Sequence, residues 1–474
     1  MHRMERALCV DLDGTLISTD LLLEGILALL RSRPLQACMI PFWLLQGKAK
    51  LKSEIAKRVT IEVATLPYRR PLLEHLQKEF AAGRKLVLAT ASHVKFAKAI
   101  AEHLGLFSRV VATESGENLV GQEKAKRLCG LLGEKNFDYA GNSRRDLPVW
   151  RCSAEAIIVN SSGRMRQQIA ASTKVAACFD ERTPSIGTYG RALRLHQWIK
   201  NILVFVPVLA IHRVTDLALL RPALIAFLAF SLAASAAYVL NDLLDLQSDR
   251  HHPDKRLRPL ASGALQIHHA FFMVPVLLGV AFGLAFFLAA SFQAALLGYV
   301  VMTVAYSFVI KRVEVLDVIV LTGFYTVRII AGSLATHIPP SFWLLAFSMF
   351  LFLSLALVKR YSELSVLQRS ESQNATGRGY SAEDLPLLLN LGCASGYLSI
   401  LVLALYINSA NSLVYYRHPE AIWLLCPVLL FWISWVWLKA HRGLICEDPI
   451  VFALGDPASR WAAVLGAIVV WIAI

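Results

Sequence analysis

Acidic side chains recur at helical spacing in the stretch NDLLDLQSD, residues 241–249. Residues three and four positions apart lie above one another on a helix, so an amide and three carboxylates would share one face. They are Asn241, Asp242, Asp245 and Asp249. Carboxylates this close repel one another unless a cation lies between them, and magnesium binds a few carboxylates together with phosphate oxygens. The stretch therefore predicts a magnesium-dependent diphosphate site, the alternative being a solvated helix face.

Basic side chains follow this acidic face in HHPDKRLRP, residues 251–259. Lys255, Arg256 and Arg258 suit the negative charge of phosphate, and arginine can contact a phosphate through two parallel hydrogen bonds. Basic residues beside an apolar run can also serve only to orient a membrane protein. We predict that these three side chains bind substrate phosphates.

Three other polar segments interrupt the apolar C-terminal part: RLHQWIKN (194–201), YSFVIKRVEVLD (306–317) and LVKRYSEL (357–364). We predict that they add substrate contacts, the candidates being Lys200, Tyr306, Lys311, Arg312, Asp317, Lys359 and Arg360. For Lys311, Arg312 and Lys359, membrane orientation explains the residue type equally well. Arg328 lies within an apolar run, where a charge is costly in lipid, and is predicted to face the protein interior.

A second set of candidates lies in the N-terminal part, in the segments CVDLDGTL (9–16), KLVLATAS (85–92), GQEKAKRL (121–128) and FDYAGNSRRDLPVW (137–150). Their polar residues are Asp11, Asp13, Thr90, Lys124, Asn142 and Asp146. Buried strands that alternate with helices favour a doubly wound α/β domain, which gathers functional groups at the carboxyl ends of its strands. An isolated DxD would more simply be a solvated turn, but four clusters in this order indicate an enzyme site.

These residue types suit phosphoryl transfer through an aspartyl-phosphate. Asp11 would attack phosphorus, and Asp13 would protonate the leaving alcohol and later activate water. Thr90 and Lys124 would neutralise the phosphate oxygens. The predicted magnesium ligands are Asp11, Asp13, Asn142 and Asp146.

The ordered set over residues 6–155 resembles the haloacid-dehalogenase (HAD) phosphatase superfamily, with DLDGTL as its first motif. The fourth motif of that superfamily usually begins with Asp, and this chain has Asn142 at that position. The Asn142 side chain can offer its amide oxygen to a metal, but it carries no negative charge. The resemblance implies a helical cap over about residues 20–80. The cap contains LLLEGILALL and CMIPFWLL. These stretches are too short to span a bilayer and suit either packing within the cap or contact with a membrane surface or the second domain.

Composition divides the chain into two predicted domains. Residues 1–185 are predicted to be a water-soluble domain and residues 186–474 a membrane-embedded one. The chain is 56% hydrophobic and only 17% charged, and its apolar runs of about 20 residues lie in the C-terminal part. The chain has a net charge of +14. Basic residues of the C-terminal part lie in short loops between apolar runs, where membrane orientation explains them better than nucleic acid, and no nucleic-acid partner is predicted. The scattered cysteines are predicted to be reduced thiols or core-filling side chains.

The C-terminal domain is predicted to be an all-α bundle of about nine membrane spans. They lie near 197–213, 221–241, 270–290, 292–311, 315–336, 341–359, 385–407, 420–438 and 449–474. The first is marginal because its uninterrupted apolar core is short.

Loop charges predict the orientation of these spans, since Lys and Arg collect on the cytosolic side. With the N-terminal domain inside, the cytosolic loops and helix ends hold Arg250, Lys255, Arg256, Arg258, Lys311, Arg312, Lys359, Arg360, Arg369, Arg378, Lys439 and Arg442. The opposite loops hold only Arg213, Arg221 and Arg417. We therefore expect an inner (cytoplasmic) membrane protein with its carboxyl terminus on the opposite side.

The C-terminal motifs resemble the UbiA superfamily of intramembrane prenyltransferases over about residues 190–474. RLHQWIKN, NDLLDLQSDRHHPDKRLRP, YSFVIKR and VKRYSEL are most similar to its polyprenyl-phosphate phosphoribosyltransferase branch, which includes the decaprenyl-phosphate enzymes. The second acidic motif is reduced to Asp317, where many aromatic prenyltransferases have paired aspartates.

The resemblance leaves two reactions that both use a diphosphate leaving group on magnesium. In the favoured one, phosphoribosyl diphosphate donates to a polyprenyl phosphate, and the HAD-like domain removes the 5-phosphate to give polyprenyl-phosphoryl ribose for cell-envelope glycan synthesis. The alternative is aromatic prenylation, for example of 4-hydroxybenzoate, in which no product phosphate needs removal. A transporter or lipid-binding protein with a degenerate head is a further alternative, although its charges would be expected at the bilayer midplane.

Overall fold

A computed structural model describes residues 5–114, 118–180, 184–369, 379–409, 415–445 and 448–474. Arg378, one of the predicted cytosolic basic residues, and Cys446 lie outside these residues. The chain forms two compact units. The N-terminal unit comprises Met1–Leu193 and Val239–Met273, and the C-terminal unit comprises Arg194–Tyr238 and Val274–Ile474. The acidic segment 241–249 thus belongs to the N-terminal unit, and the domain boundary at residue 185 stays a prediction.

The N-terminal unit contains a six-stranded sheet with the order β3-β2-β1-β4-β5-β6. Its strands are β1 Ala7–Val10, β2 Leu86–His93, β3 Arg109–Thr113, β4 Phe137–Gly141, β5 Glu155–Val159 and β6 Lys174–Phe179. All neighbouring strands are parallel. The predicted doubly wound α/β fold is confirmed.

The central strand β1 is apolar throughout because both faces of the sheet are covered. Leu8 and Val10 pack into the core on one face, and Ala7 and Cys9 pack into the core on the other. The strand is completely buried, so the chain can present polar groups only after it ends. That constraint places the first aspartate at the edge of the sheet.

The helices of the N-terminal unit fall into three groups. Between β1 and β2 lie α1 Leu21–Ser32, α2 Pro34–Ala37, α3 Ile40–Leu45, α4 Lys48–Arg58 and α5 Arg70–Ala81. Among and after the other strands lie α6 Val94–Leu104, α7 Gln122–Leu132, α8 Leu147–Cys152, α9 Gly163–Ala170 and α10 Ile186–Leu193. The acidic segment adds the end of a long helix, a helical turn over Leu246–His251 and a 3-10 turn over Lys255–Leu257.

The C-terminal helices begin with a short apolar stretch, Leu195–Phe205 in 3-10 form and α11 Val206–Ala210. The helical turn Leu246–His251 of the acidic segment is numbered α13. The longer helices are α12 Leu217–Leu244, α14 Ile267–Ala285, α15 Ala290–Phe308, α16 Leu316–Thr336, α17 Phe342–Arg369, α18 Leu385–Ile407 and α19 Leu425–His441. The last two are α20 Pro449–Gly455 and α21 Pro457–Ala473. The first residues of α14, up to Met273, and the last residues of α12, from Val239, belong to the N-terminal unit.

Within the described residues, seven helices are long and apolar enough to cross a membrane, or eight if α20 and α21, bent by 86°, form one span. The predicted polytopic bundle is confirmed, and the count of about nine is approximate. The first predicted span, near 197–213, corresponds to Leu195–Ala210, which is a shorter apolar stretch.

Close helix packing in the C-terminal unit depends on glycine. A Cβ on Gly392 would lie 1.9 Å from the Trp437 ring, and one on Gly332 would lie 2.0 Å from the Val204 carbonyl oxygen. Any larger residue would force these segments apart.

Arg328 is buried, and its Nε donates to Asn201 Oδ1 at 2.7 Å. The prediction that Arg328 faces the interior is confirmed.

Candidate functional site

The N-terminal unit brings Asp11, Lys124 and Asp146 together at the carboxyl ends of β1 and β4. Lys124 Nζ, from α7, lies 2.8 Å from Asp11 Oδ1 and 3.4 Å from Asp146 Oδ1. Tyr139, from β4, donates to Asp146 at 2.8 Å and accepts from Lys124 at 3.0 Å. Three segments distant in sequence therefore form one buried charged cluster, as expected at the edge of a parallel sheet.

Burial and charge act in opposite directions in this cluster. Burial raises the pKa of Asp11, while the charge of Lys124 opposes that shift. Burial would lower the pKa of Lys124, but Asp11 and Asp146 together raise it above its ordinary value. Lys124 thus remains a fixed positive charge beside Asp11, where a phosphate oxygen could be neutralised.

Asp13, which follows β1, and Thr90, within the second half of β2, lie in a different hydrogen-bonding environment. Asp13 Oδ1 accepts from the Leu21 backbone N–H at 2.9 Å, and its other oxygen accepts from Ser92 Oγ. Burial, followed by the charge of Asp20, raises the pKa of Asp13, which suits a carboxyl that must hold a proton. Thr90 is fully buried, and its hydroxyl accepts from the Ser92 backbone N–H at 3.0 Å.

Asn142 follows β4 and lies against the turn after β1. Its backbone N–H donates to Asp146 Oδ2 at 3.3 Å. Gly14 has a φ of +73°, and a Cβ there would lie 2.3 Å from Asn142 Nδ2. Glycine is therefore required for both the backbone conformation and the close approach of Asn142.

The acidic segment forms a second cluster in the N-terminal unit. Arg258 Nη1 lies 2.6 Å from Asp249 Oδ2 and 3.1 Å from Asp242 Oδ1. Burial raises the pKa of Asp249, and Arg258 opposes that shift. Asp245 lies instead 3.3 Å from Arg31, at the end of α1. The predicted helical face is thus divided between two arginines.

A buried ion pair fixes the acidic segment within this unit. Arg250 donates to both carboxylate oxygens of Glu24, at 2.6 Å and 3.0 Å, and both side chains are almost fully buried. Thr19 Oγ1 also donates to Glu24 at 2.7 Å. The remaining predicted contacts are more peripheral: Asn241 is half-buried in the last turn of α12, while Lys255 is half-buried and Arg256 exposed in the 3-10 turn.

The C-terminal unit, by itself, contains a cluster of opposite composition. Asp448 is buried, with its Oδ2 2.6 Å from Lys200 Nζ and 3.5 Å from Lys359 Nζ. Tyr325 donates to the same oxygen at 3.2 Å. Two of the predicted phosphate-binding lysines therefore share one carboxylate.

Asp317 and Arg360 form a separate buried pair in the C-terminal unit. Tyr380 donates to Asp317 at 2.8 Å, and Arg360 donates to Tyr306 at 3.0 Å. Three predicted contacts, Asp317, Tyr306 and Arg360, are thus brought together. Lys311 and Arg312 lie in the 3-10 turn Ile310–Arg312 and are half-buried and exposed, respectively.

Comparison with protein families agrees with both sets of motifs. The model described as the UbiA prenyltransferase family matches residues 202–449, slightly more than half of the chain. The chain belongs to the UbiA prenyltransferase family. A second model, haloacid dehalogenase-like hydrolase, matches residues 8–151. This UbiA-family protein therefore has an N-terminal HAD-like domain in addition to its multi-pass membrane domain.

Relatives of this UbiA-family protein share either the whole chain or its membrane part. The uncharacterized protein y4nM of Sinorhizobium fredii is 35% identical over 461 residues, which are 97% of this chain and 89% of that protein. The decaprenyl-phosphate phosphoribosyltransferase of Mycobacterium tuberculosis is 38% identical over 185 residues, 38% of this chain and 61% of that protein. A solved UbiA homolog from Archaeoglobus fulgidus bound to DMAPP and Mg²⁺ is 17% identical, with a TM-score of 0.46, over 60% of this chain and 99% of that one.

Magnesium fits the donor chemistry of both acidic clusters. Among the side chains that the structure describes, no group of three or more His, Cys, Asp or Glu residues is arranged to hold a metal ion. Each cluster nevertheless offers two carboxylates against one basic group, which leaves a net negative charge and hard oxygen donors. The magnesium ligands of this UbiA-family protein stay predictions: Asp11, Asp13, Asn142 and Asp146 at the sheet, and Asp242, Asp245 and Asp249 in the acidic segment.

Several residues of the clusters are not among the sequence predictions, including Arg31, Ser92, Tyr139 and Asp448. Ser92 and Tyr139 lie inside the quoted motif segments, so their polarity beside a buried strand was a usable signal. Arg31 and Asp448 are single charges whose partners lie far away along the chain. Only the folded chain reveals them.

Proposed function

We propose that the protein transfers 5-phosphoribose from phosphoribosyl diphosphate to a polyprenyl phosphate of the decaprenyl type. A phosphate oxygen of the lipid attacks the anomeric carbon, and the bond between that carbon and the diphosphate oxygen breaks, so that diphosphate leaves with the electron pair. The HAD-like domain then hydrolyses the 5-phosphate ester. Water supplies the oxygen to phosphorus and the proton to the alcohol, giving polyprenyl-phosphoryl ribose, for cell-envelope glycan synthesis, and inorganic phosphate.

One observation carries this proposal: one compact unit contains both the Asp11–Lys124–Asp146 cluster and the acidic segment with Asp242 and Asp249. A phosphatase-type site in the same unit would encounter a phosphorylated product at raised effective concentration. A phosphoribosyl lipid carries such a phosphate, whereas a prenylated aromatic acid does not. The name of the Mycobacterium tuberculosis relative also supports phosphoribosyl transfer.

The acidic segment would hold magnesium through Asp242, Asp245 and Asp249. Bound magnesium would supply positive charge to the diphosphate as it leaves. Arg258 already contacts two of these carboxylates, so it can position them and also reach a phosphate oxygen. Asn241, Lys255 and Arg256 are the further proposed contacts of this segment.

The lysines around Asp448 are the proposed contacts for a phosphate in the membrane domain. Lys200 and Lys359 together carry one more positive charge than Asp448 neutralises. Such a cluster favours an anion in a site of low dielectric constant. Tyr306, Lys311, Arg312, Asp317 and Arg360 complete the proposed substrate-binding set.

In the hydrolytic step, Asp11 would attack phosphorus while Lys124 neutralises the developing charge. Asp13 would protonate the ribose alcohol and afterwards take a proton from the attacking water. The bond from Ser92 to Asp13 and the burial around it would keep that carboxyl oriented. Thr90 would contribute a phosphate contact.

The excess of basic residues in one set of loops supports a location in the inner membrane, with the N-terminal domain in the cytosol and the carboxyl terminus outside. Phosphoribosyl diphosphate is too highly charged to cross a bilayer, so a cytosolic site would meet it directly. The division into residues 1–185 and 186–474 is proposed from the difference in composition between the two parts of the chain.

The test uses purified full-length protein in lipid nanodiscs with magnesium, polyprenyl phosphate and doubly labelled phosphoribosyl diphosphate. A carbon label in ribose should enter the lipid and stay there. A phosphorus label on the 5-phosphate should enter the lipid and then appear as inorganic phosphate. Absence of both labels from the lipid, with turnover of an isoprenyl diphosphate and an aromatic acid, would establish the alternative prenylation reaction.

A further inference from the structure

An apolar stretch on the N-terminal unit is exposed although it carries no charge. Residues 34–47, PLQACMIPFWLLQG, form α2 and α3 and lack Asp, Glu, Lys and Arg. Leu35 and Leu45 are 88% and 87% exposed, and Phe42 is 53% exposed. Water-facing positions of a helix are normally polar, so a cluster of large apolar side chains indicates a binding surface.

The inward side of the stretch is already packed, so these side chains are not misplaced core residues. Ala37 and Trp43 are buried and belong to the same core as Leu51 and Ile55 of α4. Arg58 lies over the Trp43 ring, 4.6 Å from its centroid. The stretch is thus apolar on both its inward and its outward side, and its buried side holds it in place.

The residues next to this stretch indicate what its outward side contacts. Arg31, three residues before Pro34, donates to the carbonyl oxygen of Leu244 at 3.3 Å and to Ser248 Oγ at 3.1 Å. Leu244 is the last residue of α12, one of the helices able to span a membrane. The exposed stretch therefore starts close to the end of a helix that is long and apolar enough to span a membrane.

Charges flank the stretch in the pattern expected at a lipid surface. RSR precedes it at residues 31–33 and KAK follows it at residues 48–50, and Arg33 and Lys48 are exposed. Basic side chains at both ends can contact acidic headgroups while the apolar side chains enter the acyl boundary. At 14 residues, the stretch is too short to cross the bilayer.

We infer that residues 34–47 form an interfacial membrane anchor that inserts Leu35, Phe42 and Leu45 into the bilayer spanned by the same chain. The anchor depends only on the membrane spans. Its consequence for catalysis rests on the proposed function: α1 and α4 connect it to the Asp11 site, which would be held at the lipid surface where the phosphorylated lipid lies.

The test uses wild-type full-length protein in nanodiscs of phosphatidylcholine and phosphatidylglycerol that contain a phospholipid with a photoactivatable acyl chain. After irradiation, lipid adducts are expected on the peptide covering residues 34–47 and on the membrane helices, but not on residues 163–180. Labelled helices without label on residues 34–47 would overturn the inference. No substrate is present, so this result is independent of the proposed reaction.

A second measurement separates lipid from a second copy of the chain. Leu35→Ser with Leu45→Ser should reduce the lipid adducts several-fold, while hydrolysis of a water-soluble phosphate ester stays unchanged. A matched pair, Gln167→Ser with Gln168→Ser on α9, should leave the adducts as in the wild type. Efficient coupling of Cys38 between two copies by a bifunctional maleimide, with lipid adducts absent, would identify a protein interface instead.

Discussion

The two acidic clusters proposed as magnesium sites in the N-terminal unit each place a base between two carboxylates, whereas the Asp448 cluster of the C-terminal unit has the reverse composition. Lys124 contacts Asp11 and Asp146, and Arg258 contacts Asp242 and Asp249. In the C-terminal unit, Asp448 is the shared partner of two lysines. The first arrangement leaves a net negative charge and the second a net positive one.

The sign of that charge determines which ligand each cluster can accept. Burying an isolated charge is costly, so a buried cluster lowers its free energy by binding an ion of opposite sign. The carboxylate-rich clusters suit a divalent cation, and the lysine-rich cluster suits a phosphate. A reaction of a magnesium diphosphate with a lipid phosphate needs both kinds of site.

The two carboxylate-rich clusters differ in how the chain assembles them. The first joins a strand end to a distant helix, since Asp11 follows β1 and Lys124 of α7 is 113 positions away. The second lies within one continuous segment, with Arg258 only 9 and 16 positions from its two aspartates. The first should therefore depend on the whole sheet, and the second on the anchoring of its segment.

The largest expected effect tests the cluster at the sheet. Asp11→Asn removes the proposed nucleophile and should lower release of the 5-phosphate by about 10,000-fold, because no other side chain replaces it. Ribose label should still enter the lipid at the wild-type rate, and the lipid that carries the 5-phosphate should therefore accumulate. Thin-layer separation of the labelled lipids measures both quantities. Asp180→Asn, at an exposed ion pair, is the control, and unchanged phosphate release in Asp11→Asn would refute the assignment.

The second prediction concerns the acidic segment. Asp242→Asn should lower ribose transfer to lipid by about 1,000-fold, because one carboxylate of the cation site is lost where charge develops on the leaving diphosphate. Hydrolysis of a soluble phosphate ester by the HAD-like domain should be unaffected. The exposed Asp254→Asn, in the same segment, should behave as the wild type. Equal losses in both activities would mean that the two clusters are not functionally separate.

The third prediction concerns the ion pair that anchors the acidic segment. Arg250→Met leaves Glu24 charged and buried without its partner, which should lower the free energy of unfolding by about 3 kcal/mol. The double variant Glu24→Leu with Arg250→Met removes both charges and should recover most of that loss. Thermal unfolding of the detergent-solubilised wild type and variants measures these changes in the free energy of unfolding. Strictly additive effects would show that the pair contributes nothing as a pair.

The fold and the first two clusters are predictable from the sequence because their signals are regular. Alternation of buried strands with helices indicates the parallel sheet, and apolar runs indicate the membrane helices. Helical spacing by itself places Asp242 and Asp249 on one face. The sequence motifs also identify Asp11 and Asp146, since residues that follow parallel strands meet at one edge of the sheet. Lys124 is identified by its motif, which begins the helix α7.

The partners of these residues are less predictable, because spacing says nothing about distant contacts. The sequence predicts that Arg258 binds phosphate, and in the structure Arg258 contacts two carboxylates. Asp448 is 248 positions from Lys200, and a single acid before a proline gives no pattern. Likewise, nothing in the sequence pairs Glu24 with Arg250, 226 positions away.

The smallest expected effect tests the Asp448 cluster, in which two lysines share one carboxylate. Asp448 would act as a positioning residue that holds Lys200 and Lys359 together, so Asp448→Asn should lower kcat for ribose transfer by about tenfold, as the two ammonium groups repel and move apart. The KM for phosphoribosyl diphosphate should not rise, because the remaining charge still attracts an anion. Steady-state kinetics in nanodiscs separates the two constants, and Asp456→Asn, which retains the helix cap, is the matched control. A raised KM with unchanged kcat would mean that Asp448 contributes to substrate binding. The proposed contrast between the carboxylate-rich clusters and the lysine-rich cluster would then be wrong.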